Sequence, residues 1–234
     1  MGKVLKENEV LKRLDVDVSH FDAHMHLAWI DDKDHFYEEL KDKRMKVFAC
    51  TVKPSEFLSL EKSAGLQNAF PALGLHPWFL EEEDIEQFAR LAPAIEFIGE
   101  IGLDFRSAKA KDRKLQIMGF EVACNSINPN SIISIHSVGT KGKTHEILKS
   151  SGRLDDCICI YHWFSDDAKT LSQAIEDGCY FSINRSMFES RRGKEYLKVV
   201  PKERILLETD SPRFRGDAYL FSDLEFMSDT LLQL

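Results

Sequence analysis

Short apolar runs alternate with amphipathic stretches along nearly the whole chain. Eight of these runs have the length and composition of buried strands, and each is followed by a stretch whose apolar residues recur with helical spacing. The predicted strands are residues 19–23, 46–52, 68–75, 95–102, 132–137, 157–163, 180–184 and 205–209. The predicted helices are residues 34–44, 54–64, 81–91, 109–126, 141–150, 166–177, 188–199 and 217–234.

The regular alternation of strand and helix predicts a parallel-sheet α/β fold. Eight strand–helix units favour a closed (β/α)8 barrel of the TIM type over an open, doubly wound sheet. The open sheet is disfavoured further because no G-x-G-x-x-G follows the first predicted strand. We expect a single barrel domain over residues 18–234 with a short last helix. The charged extension over residues 1–17 is expected to be a solvated, partly disordered tail, with contact to a partner as the alternative.

The composition of the 234 residues is that of an ordinary globular protein, with 43% hydrophobic and 30% charged residues. A net charge of −8 excludes a generic basic coat for nucleic acid, but not an enzyme whose metal ions supply positive charge locally. No apolar run approaches the roughly 20 residues that span a bilayer, and the charged first residues do not form a secretory signal. We expect a cytoplasmic protein without a membrane partner, whose five cysteines are reduced core residues.

A His-x-His pair ends the first predicted strand, in the sequence FDAHMH. Alternate side chains on a strand point to the same face, so His24 and His26 project together and can bind one divalent ion. Asp22 shares this parity and is expected to hold one of the two rings in a fixed tautomer. A chance pair, with one histidine buried and one solvated, is the alternative, and the other strand ends decide between the two interpretations.

Further histidines and carboxylates lie where other predicted strands end, which is the position of catalytic groups in a TIM-type barrel. They are His76, Glu100, His136, His162 and Asp210. Five of the eight histidines therefore lie at strand ends. Four of these histidines with the two carboxylates are too many for one ion and suit two ions that share a bridging carboxylate, so we expect a binuclear hydrolase centre. A donor set without thiolate suits zinc, manganese, iron or nickel, with magnesium at a more carboxylate-rich position, and does not choose among them.

Six motifs follow one another along the chain: FDAHMH, GLHPW, GEIGLDF, IHS, YHWFS and LLETDSP. In this order and at these spacings they resemble the TatD family of metal-dependent deoxyribonucleases, which are amidohydrolase-type barrels. The resemblance covers residues 19–214 and includes an Arg/Gln/Phe spacing in the helix before the fifth strand, at Arg113, Gln116 and Phe120. It implies two divalent ions, with a first held by His24, His26 and Asp210, a second completed by His136 and His162, and Glu100 as the bridge.

The resemblance implies hydrolysis of DNA by metal-activated water. Asp210 would accept the proton of the water while it contacts one ion. His76 would either donate to a phosphate oxygen or orient the third loop, and Glu100 would act as the shared ligand. The expected activity is that of an exodeoxyribonuclease whose substrate is single-stranded DNA or strand ends.

Side chains that follow the catalytic strand ends are candidates for substrate binding. Arg213 and Arg215 are expected to approach backbone phosphates, and Trp163 is expected to stack on a base. Glu208 shares the parity of Asp210 and is expected to hydrogen-bond a metal ligand or the substrate. The alternatives are a solvated charged face, an aromatic residue that closes the barrel, and a structural carboxylate.

Two departures from the family pattern leave the substrate open. Trp163-Phe164-Ser165-Asp166 stands where the family often has Cys-Phe-Ser-Gly, and the segment after Ser211-Pro212 is shorter than usual. Loops after barrel strands shape the pocket, so the same centre acting on a small amide, ester or phosphoester is a second hypothesis. A non-catalytic protein that binds metal and a partner is the third.

Overall fold

A computed structural model describes residues 8–62 and 66–233 of the chain. Within these residues, eight strands are hydrogen-bonded in chain order from β1 to β8. Their bounds are β1 Phe21–Met25, β2 Lys46–Cys50, β3 Ala69–Leu75, β4 Phe97–Asp104, β5 Ile132–Val138, β6 Ile158–His162, β7 Tyr180–Ile183 and β8 Ile205–Leu207. The order is that of a (β/α)8 barrel of the TIM type, which confirms the predicted fold class.

Helices alternate with the strands and, apart from residues 9–14 and 153–156, which no predicted helix covers, their bounds are close to those predicted. They are α1 Glu9–Leu14, α2 Lys33–Asp42, α3 Pro54–Glu61, α4 Glu82–Leu91, α5 Arg113–Ser126, α6 Lys143–Ser150, α7 Arg153–Asp156, α8 Ala168–Glu176, α9 Arg185–Glu189, α10 Arg191–Val199 and α11 Phe221–Gln233. Short 3-10 helices span Val18–His20, Leu27–Trp29, Leu66–Asn68, Ala92–Ala94 and Lys202–Arg204. The predicted helix over 188–199 is interrupted because Ser190 is extended and caps α10 by accepting from Gly193 N–H. The predicted end of α3 beyond residue 62 lies outside the described residues.

The described residues fall into two compact units. The first unit comprises the described residues within Met1–Ala49, Ser63–Phe70 and Phe181–Leu234. The second unit comprises those within Cys50–Lys62 and Pro71–Tyr180. In the first unit, β1 and the segment after β8 run side by side, because Asp210 N–H donates to the carbonyl of His24 over 3.0 Å. The first and last strands therefore meet, as the barrel order requires. A single domain from residue 18 onward stays a prediction.

The strands are buried along nearly their whole length. Every residue of β1 and β6 is buried, as are all but one end residue of β4 and β5. Parallel strands covered on both faces are expected to be continuously apolar rather than alternating, and this explains why the strand runs were visible in the sequence. None of the helices in the described ranges is long and apolar enough to cross a membrane.

The charged extension is folded where it is described, contrary to the predicted solvated tail. Helix α1 buries Val10, Leu11 and Leu14. Asn8 caps the helix by accepting from Leu11 N–H, and its Nδ2 donates to a carbonyl at the start of β8 over 3.3 Å. The prediction was wrong because the many charges obscured one short apolar stripe at helical spacing. Residues 1–7 of the extension lie outside the described residues.

Candidate metal centre

In the first unit, His24, His26 and Asp210 come together at the end of β1 and just after β8. The Nε2 atoms of His24 and His26 lie 3.7 Å and 3.4 Å from Asp210 Oδ1. Both imidazoles are buried, and the ring of His26 stacks on Trp29 with 4.4 Å between centroids. The side chain of Asp210 remains 17% exposed. The structure thus brings three predicted ligands together, and one of them is a carboxylate that solvent reaches.

Asp22 does not orient an imidazole, contrary to the prediction. Its carboxylate accepts hydrogen bonds from the backbone N–H groups of His24 (3.1 Å) and Thr209 (3.0 Å), from Thr209 Oγ1 (2.6 Å) and from Tyr219 OH (2.7 Å). Burial raises the pKa of Asp22 to about 7, although these hydrogen bonds act to lower it. The carboxylate therefore holds β1 against the segment after β8. Strand parity could not reveal the donors of Thr209 and Tyr219, because they come from distant parts of the chain.

Glu208 is fully buried just after β8. Its carboxylate accepts from Ser182 Oγ and from Asn184 Nδ2, the latter over 3.1 Å. Its backbone N–H donates to the carbonyl of Ile183 in β7 over 3.1 Å. These contacts fix the carboxylate in place, and its contact with a ligand or substrate stays a prediction.

Arg213 and Arg215 lie on an exposed loop that follows β8. A turn closes this loop, since Asp217 N–H donates to the carbonyl of Phe214 over 3.1 Å and Arg213 N–H donates to the Asp217 carboxylate over 3.4 Å. The Phe214 side chain between the two arginines is 64% exposed. Sequence reasoning missed this phenylalanine, and the available signal was its place between two arginines.

In the second unit, three imidazoles converge on the carboxylate of Glu100. The distances to Glu100 Oε1 are 2.5 Å from His136 Nδ1, 2.7 Å from His162 Nε2 and 3.4 Å from His76 Nε2. All four side chains are buried, and they come from β4, β5, the end of β6 and the segment after β3. Burial raises the pKa of Glu100, but the three imidazoles more than offset burial and hold that pKa well below its ordinary value.

The donor set of this cluster fits a divalent cation. Imidazole nitrogen and carboxylate oxygen are ordinary ligands of zinc and related ions, and two donors bound tetrahedrally to one ion lie about 3.3 Å apart. His136 Nδ1 and His162 Nε2 are 3.2 Å apart. Ligand atoms of His76, Glu100 and His136 all lie within 4.8 Å of one another. The structure thus brings together predicted ligands in the second unit and places His76 beside them.

Close approach of β4 to β5 places His136 beside Glu100. Gly102 is the residue of β4 that pairs with His136 in the parallel register. A Cβ at Gly102, where φ is 147°, would lie 2.0 Å from the carbonyl oxygen of His136. Only glycine fits this position. The second glycine of the GEIGLD motif therefore sets the distance between the strands that carry the two side chains.

Asp104 was given no role by the sequence, and the structure places it next to the same cluster. Its Oδ2 accepts from Trp78 Nε1 over 2.7 Å and lies 3.4 Å from His136 Nε2. The indole of Trp78 packs edge-on against the His76 ring, with 5.2 Å between centroids. The sequence could have indicated this position, because Asp104 lies four residues after Glu100 on one strand and alternate residues of a strand point to the same face.

The loop after β6 carries Trp163 and Asp166. Trp163 is half-buried with a φ of 38°. Asp166 is buried and accepts from Thr140 Oγ1 (2.6 Å), Lys141 N–H (3.0 Å) and Gly142 N–H (3.1 Å). Asp166, which departs from the family pattern, therefore connects the loop after β6 to the loop after β5 by hydrogen bonds. The stacking of Trp163 on a base stays a prediction.

Buried histidines and carboxylates at the ends of parallel strands, in a TIM-type barrel, define the class of metal-dependent hydrolases. The family model described as "TatD related DNase" matches residues 21–220. The chain belongs to this family, as its six motifs predicted.

Relatives of the chain span bacteria and animals. It is 25% identical over 232 residues to the Bacillus subtilis protein YabD, an "uncharacterized metal-dependent hydrolase", with 92% of this chain and 90% of YabD covered. It is 27% identical over 217 residues to human "Deoxyribonuclease TATDN3", with 82% and 77% covered. Among solved structures, YJJV, a TatD homolog from Escherichia coli, matches with a TM-score of 0.73 at 19% identity, covering 92% and 90%. The last likeness supports the fold alone.

Proposed function

We propose that the protein hydrolyses phosphodiester bonds of DNA as a metal-dependent exonuclease that acts on single strands or strand ends. The observation that carries the proposal is the convergence of three imidazoles on Glu100 in the second unit. The description of the family and the name of the human relative support DNA as the substrate. We also propose a cytoplasmic location, because a reducing compartment keeps thiols such as the five free cysteines unpaired.

Two groups of side chains would hold divalent ions. His24, His26 and Asp210 would hold one ion, and Glu100, His136 and His162 would hold the other; the bridging role of Glu100 stays a prediction. When bound, such ions lower the pKa of a water molecule and neutralise charge on phosphate oxygens. The side chains in the first group surround a partly exposed carboxylate, and those in the second a buried one.

Asp210 would accept the proton released from the attacking water. Its Oδ1 lies close to the His24 and His26 rings, and its partial exposure lets water reach it. His76 would act as a donor, because its Nδ1 accepts from the backbone N–H of Trp78 over 3.1 Å. A neutral imidazole that accepts at Nδ1 carries its hydrogen on Nε2, and this atom would donate to Glu100 or to a phosphate oxygen.

Substrate would be held by the loops that follow the strands. Arg213 and Arg215 would contact backbone phosphates, and the exposed ring of Phe214 between them would stack on a base. Trp163 would offer a second stacking surface, and Glu208 would hydrogen-bond a ligand of the site. An acidic protein needs such local basic groups to approach a polyanion.

The proposal is tested with end-labelled single- and double-stranded DNA. The protein is stripped of metal and then supplied with Mg, Mn, Zn or Ni in turn. We expect progressive shortening from one end with at least one of these metals, and loss of that activity in His162→Ala. His35→Ala is the matched control, because His35 lies on α2 with its side chain 66% exposed, and this variant should behave as the wild type.

Other outcomes separate the remaining hypotheses. Turnover of bis(4-nitrophenyl) phosphate that depends on His162, without any shortening of DNA, would contradict the DNA proposal and identify a small phosphoester as the substrate. Bound metal with no turnover of either substrate would indicate a non-catalytic metal protein.

A further inference from the structure

Asp104 is a buried carboxylate that the proposed hydrolysis does not use. Its Oδ1 accepts from the backbone N–H groups of Arg106 and Ser107, both over 2.8 Å. Its Oδ2 accepts from Trp78 Nε1 over 2.7 Å and faces His136 Nε2 at 3.4 Å. Both oxygens are therefore surrounded by N–H donors, as a carboxylate that acts only as an acceptor requires.

Asp104 is itself held in place by Gln116 of α5. Asp104 N–H donates to Gln116 Oε1 over 2.8 Å, and Gln116 Nε2 donates back to the carbonyl of Asp104 over 3.0 Å. The same Nε2 donates to the carbonyl of Lys111 over 2.6 Å, so the buried amide fixes the end of β4 and the approach to the helix. The position of the Asp104 carboxylate is thus determined from both its backbone and its side chain.

The imidazole of His136 lies between two carboxylates of the same strand. Its Nδ1 is 2.5 Å from Glu100 Oε1 and 3.2 Å from His162 Nε2, whereas its Nε2 faces Asp104. A carboxylate accepts and does not donate, so the ring nitrogen that faces Asp104 carries hydrogen. The same rule places hydrogen on Nδ1 while it faces the Glu100 carboxylate; a divalent ion bound at Nδ1 would take the place of that hydrogen, whereas Asp104 would keep the hydrogen on Nε2.

We propose that Asp104 is a positioning residue that keeps hydrogen on Nε2 of His136 and so presents Nδ1 to a divalent ion, while it also anchors the indole of Trp78 beside the cluster. The proposal rests on the metal-binding part of the proposed function and is independent of DNA as the substrate. Asp104 acts through His136 and has no contact with the ion.

The tautomer of His136 tests the proposal in the unmodified protein. Long-range ¹H–¹⁵N spectra of the zinc-loaded wild type are expected to show the His136 ring with hydrogen on Nε2 and none on Nδ1. A ring with hydrogen on Nδ1 would overturn the proposal, and the tautomer itself is read in the unmodified protein. The signal is assigned by its loss in His136→Gln.

Asp104→Asn changes the charge and hydrogen-bonding character of the group at constant shape. An amide NH2 in the place of Oδ2 would donate to His136 Nε2 and favour hydrogen on Nδ1, which must then be lost before an ion binds there. We expect zinc binding, measured by competition with a chromogenic chelator, to weaken about 10- to 100-fold. Asp112→Asn is the matched control, because Asp112 is an exposed aspartate that caps α5, and its zinc affinity should stay within about twofold of the wild type.

Trp78→Phe separates the two contacts of Asp104. This variant removes the indole N–H but keeps the carboxylate that faces His136, so zinc affinity and the His136 spectrum are expected to match the wild type. Suppose folded Asp104→Asn binds zinc within twofold of the wild type and its His136 spectrum is unchanged. This result would refute the role of Asp104 and leave the proposed function intact. A wild type that binds no divalent ion would refute the metal-binding part of the proposed function, and the proposal with it.

Discussion

Asp166 offers a direct test of how the loops around the second-unit cluster are held. Its buried carboxylate accepts from Thr140 Oγ1, Lys141 N–H and Gly142 N–H at 2.6–3.1 Å. Hydrogen bonds to a charged group contribute about 1.5–3 kcal/mol each but do not add fully, so we expect Asp166→Ala to lower the free energy of unfolding by about 3 kcal/mol. For a protein of this size, that loss corresponds to a fall in Tm of about 6–12 °C.

Asp166→Asn should lower the free energy of unfolding by less than Asp166→Ala does. The amide keeps one oxygen for Lys141 N–H, and the hydroxyl of Thr140 can accept from the new NH2, but Gly142 N–H then faces another donor. Of the hydrogen bonds from Thr140, Lys141 and Gly142, one is lost instead of all three, so the cost should be about 1–1.5 kcal/mol. Asp155→Ala is the control, because Asp155 is an exposed aspartate of α7 and its removal should cost less than about 0.5 kcal/mol.

The assay is urea unfolding of the metal-free protein, followed by circular dichroism with the slope of the transition compared among variants. The expected order of stability is wild type and Asp155→Ala, then Asp166→Asn, then Asp166→Ala. A value for Asp166→Ala within about 0.5 kcal/mol of the wild type would refute the reasoning, because three short hydrogen bonds to a buried charge would then contribute nothing measurable.

Phe214→Ala should weaken binding of a labelled single-stranded oligonucleotide, measured by fluorescence anisotropy, by about 5- to 30-fold, as expected for one lost stacking contact. Val199→Ala changes another exposed apolar residue and should leave the affinity unchanged. Equal affinities of the two variants would contradict a stacking role. Burial raises the pKa of the Cys124 thiol to about 12. Iodoacetamide at pH 8 should therefore leave Cys124 unlabelled in the folded protein and label it in urea, as measured by peptide mass spectrometry. Labelling of Cys124 before unfolding would contradict the prediction. Asn8→Ala should lower the free energy of unfolding by about 1–2 kcal/mol, because it removes the cap of α1 and its hydrogen bond to β8; an unchanged urea midpoint would show that α1 does not contribute to stability.

The positions of the strands and of the metal-ligand candidates could be predicted because each depends on local sequence. Buried parallel strands are continuous apolar runs, and a histidine at the end of such a run reaches the edge where the loops begin. His24, His26 and Asp210 were expected together and lie together in the first unit, and Glu100, His136 and His162 do so in the second. Alternation of strand and helix was sufficient for the fold class.

The partners of the supporting carboxylates could not be predicted because they depend on distant contacts. Asp22 was expected to hold a histidine ring, yet its carboxylate binds Thr209 and Tyr219, which are close to it only in the folded chain. Packing of α1 was missed for a related reason, since three apolar residues among many charges gain significance only when a surface is present to cover them. Parity determines the direction of a side chain, and the tertiary fold determines its partner.

Strand β4 shows how local and distant information combine in the motif GEIGLD. Glu100, Gly102 and Asp104 alternate along the strand, and Gly102 pairs with His136 of β5. The missing side chain at Gly102 lets β5 approach, and the two carboxylates on either side of the glycine then face the two nitrogens of the same imidazole. A single strand thus supplies one proposed metal ligand, Glu100, and a second carboxylate, Asp104, that would present the His136 ring to the ion. The spacing of Glu100, Gly102 and Asp104 is visible in the sequence. Whether the two carboxylates face His136 depends on the register of β5, because a shift of one residue would move His136 to the opposite face.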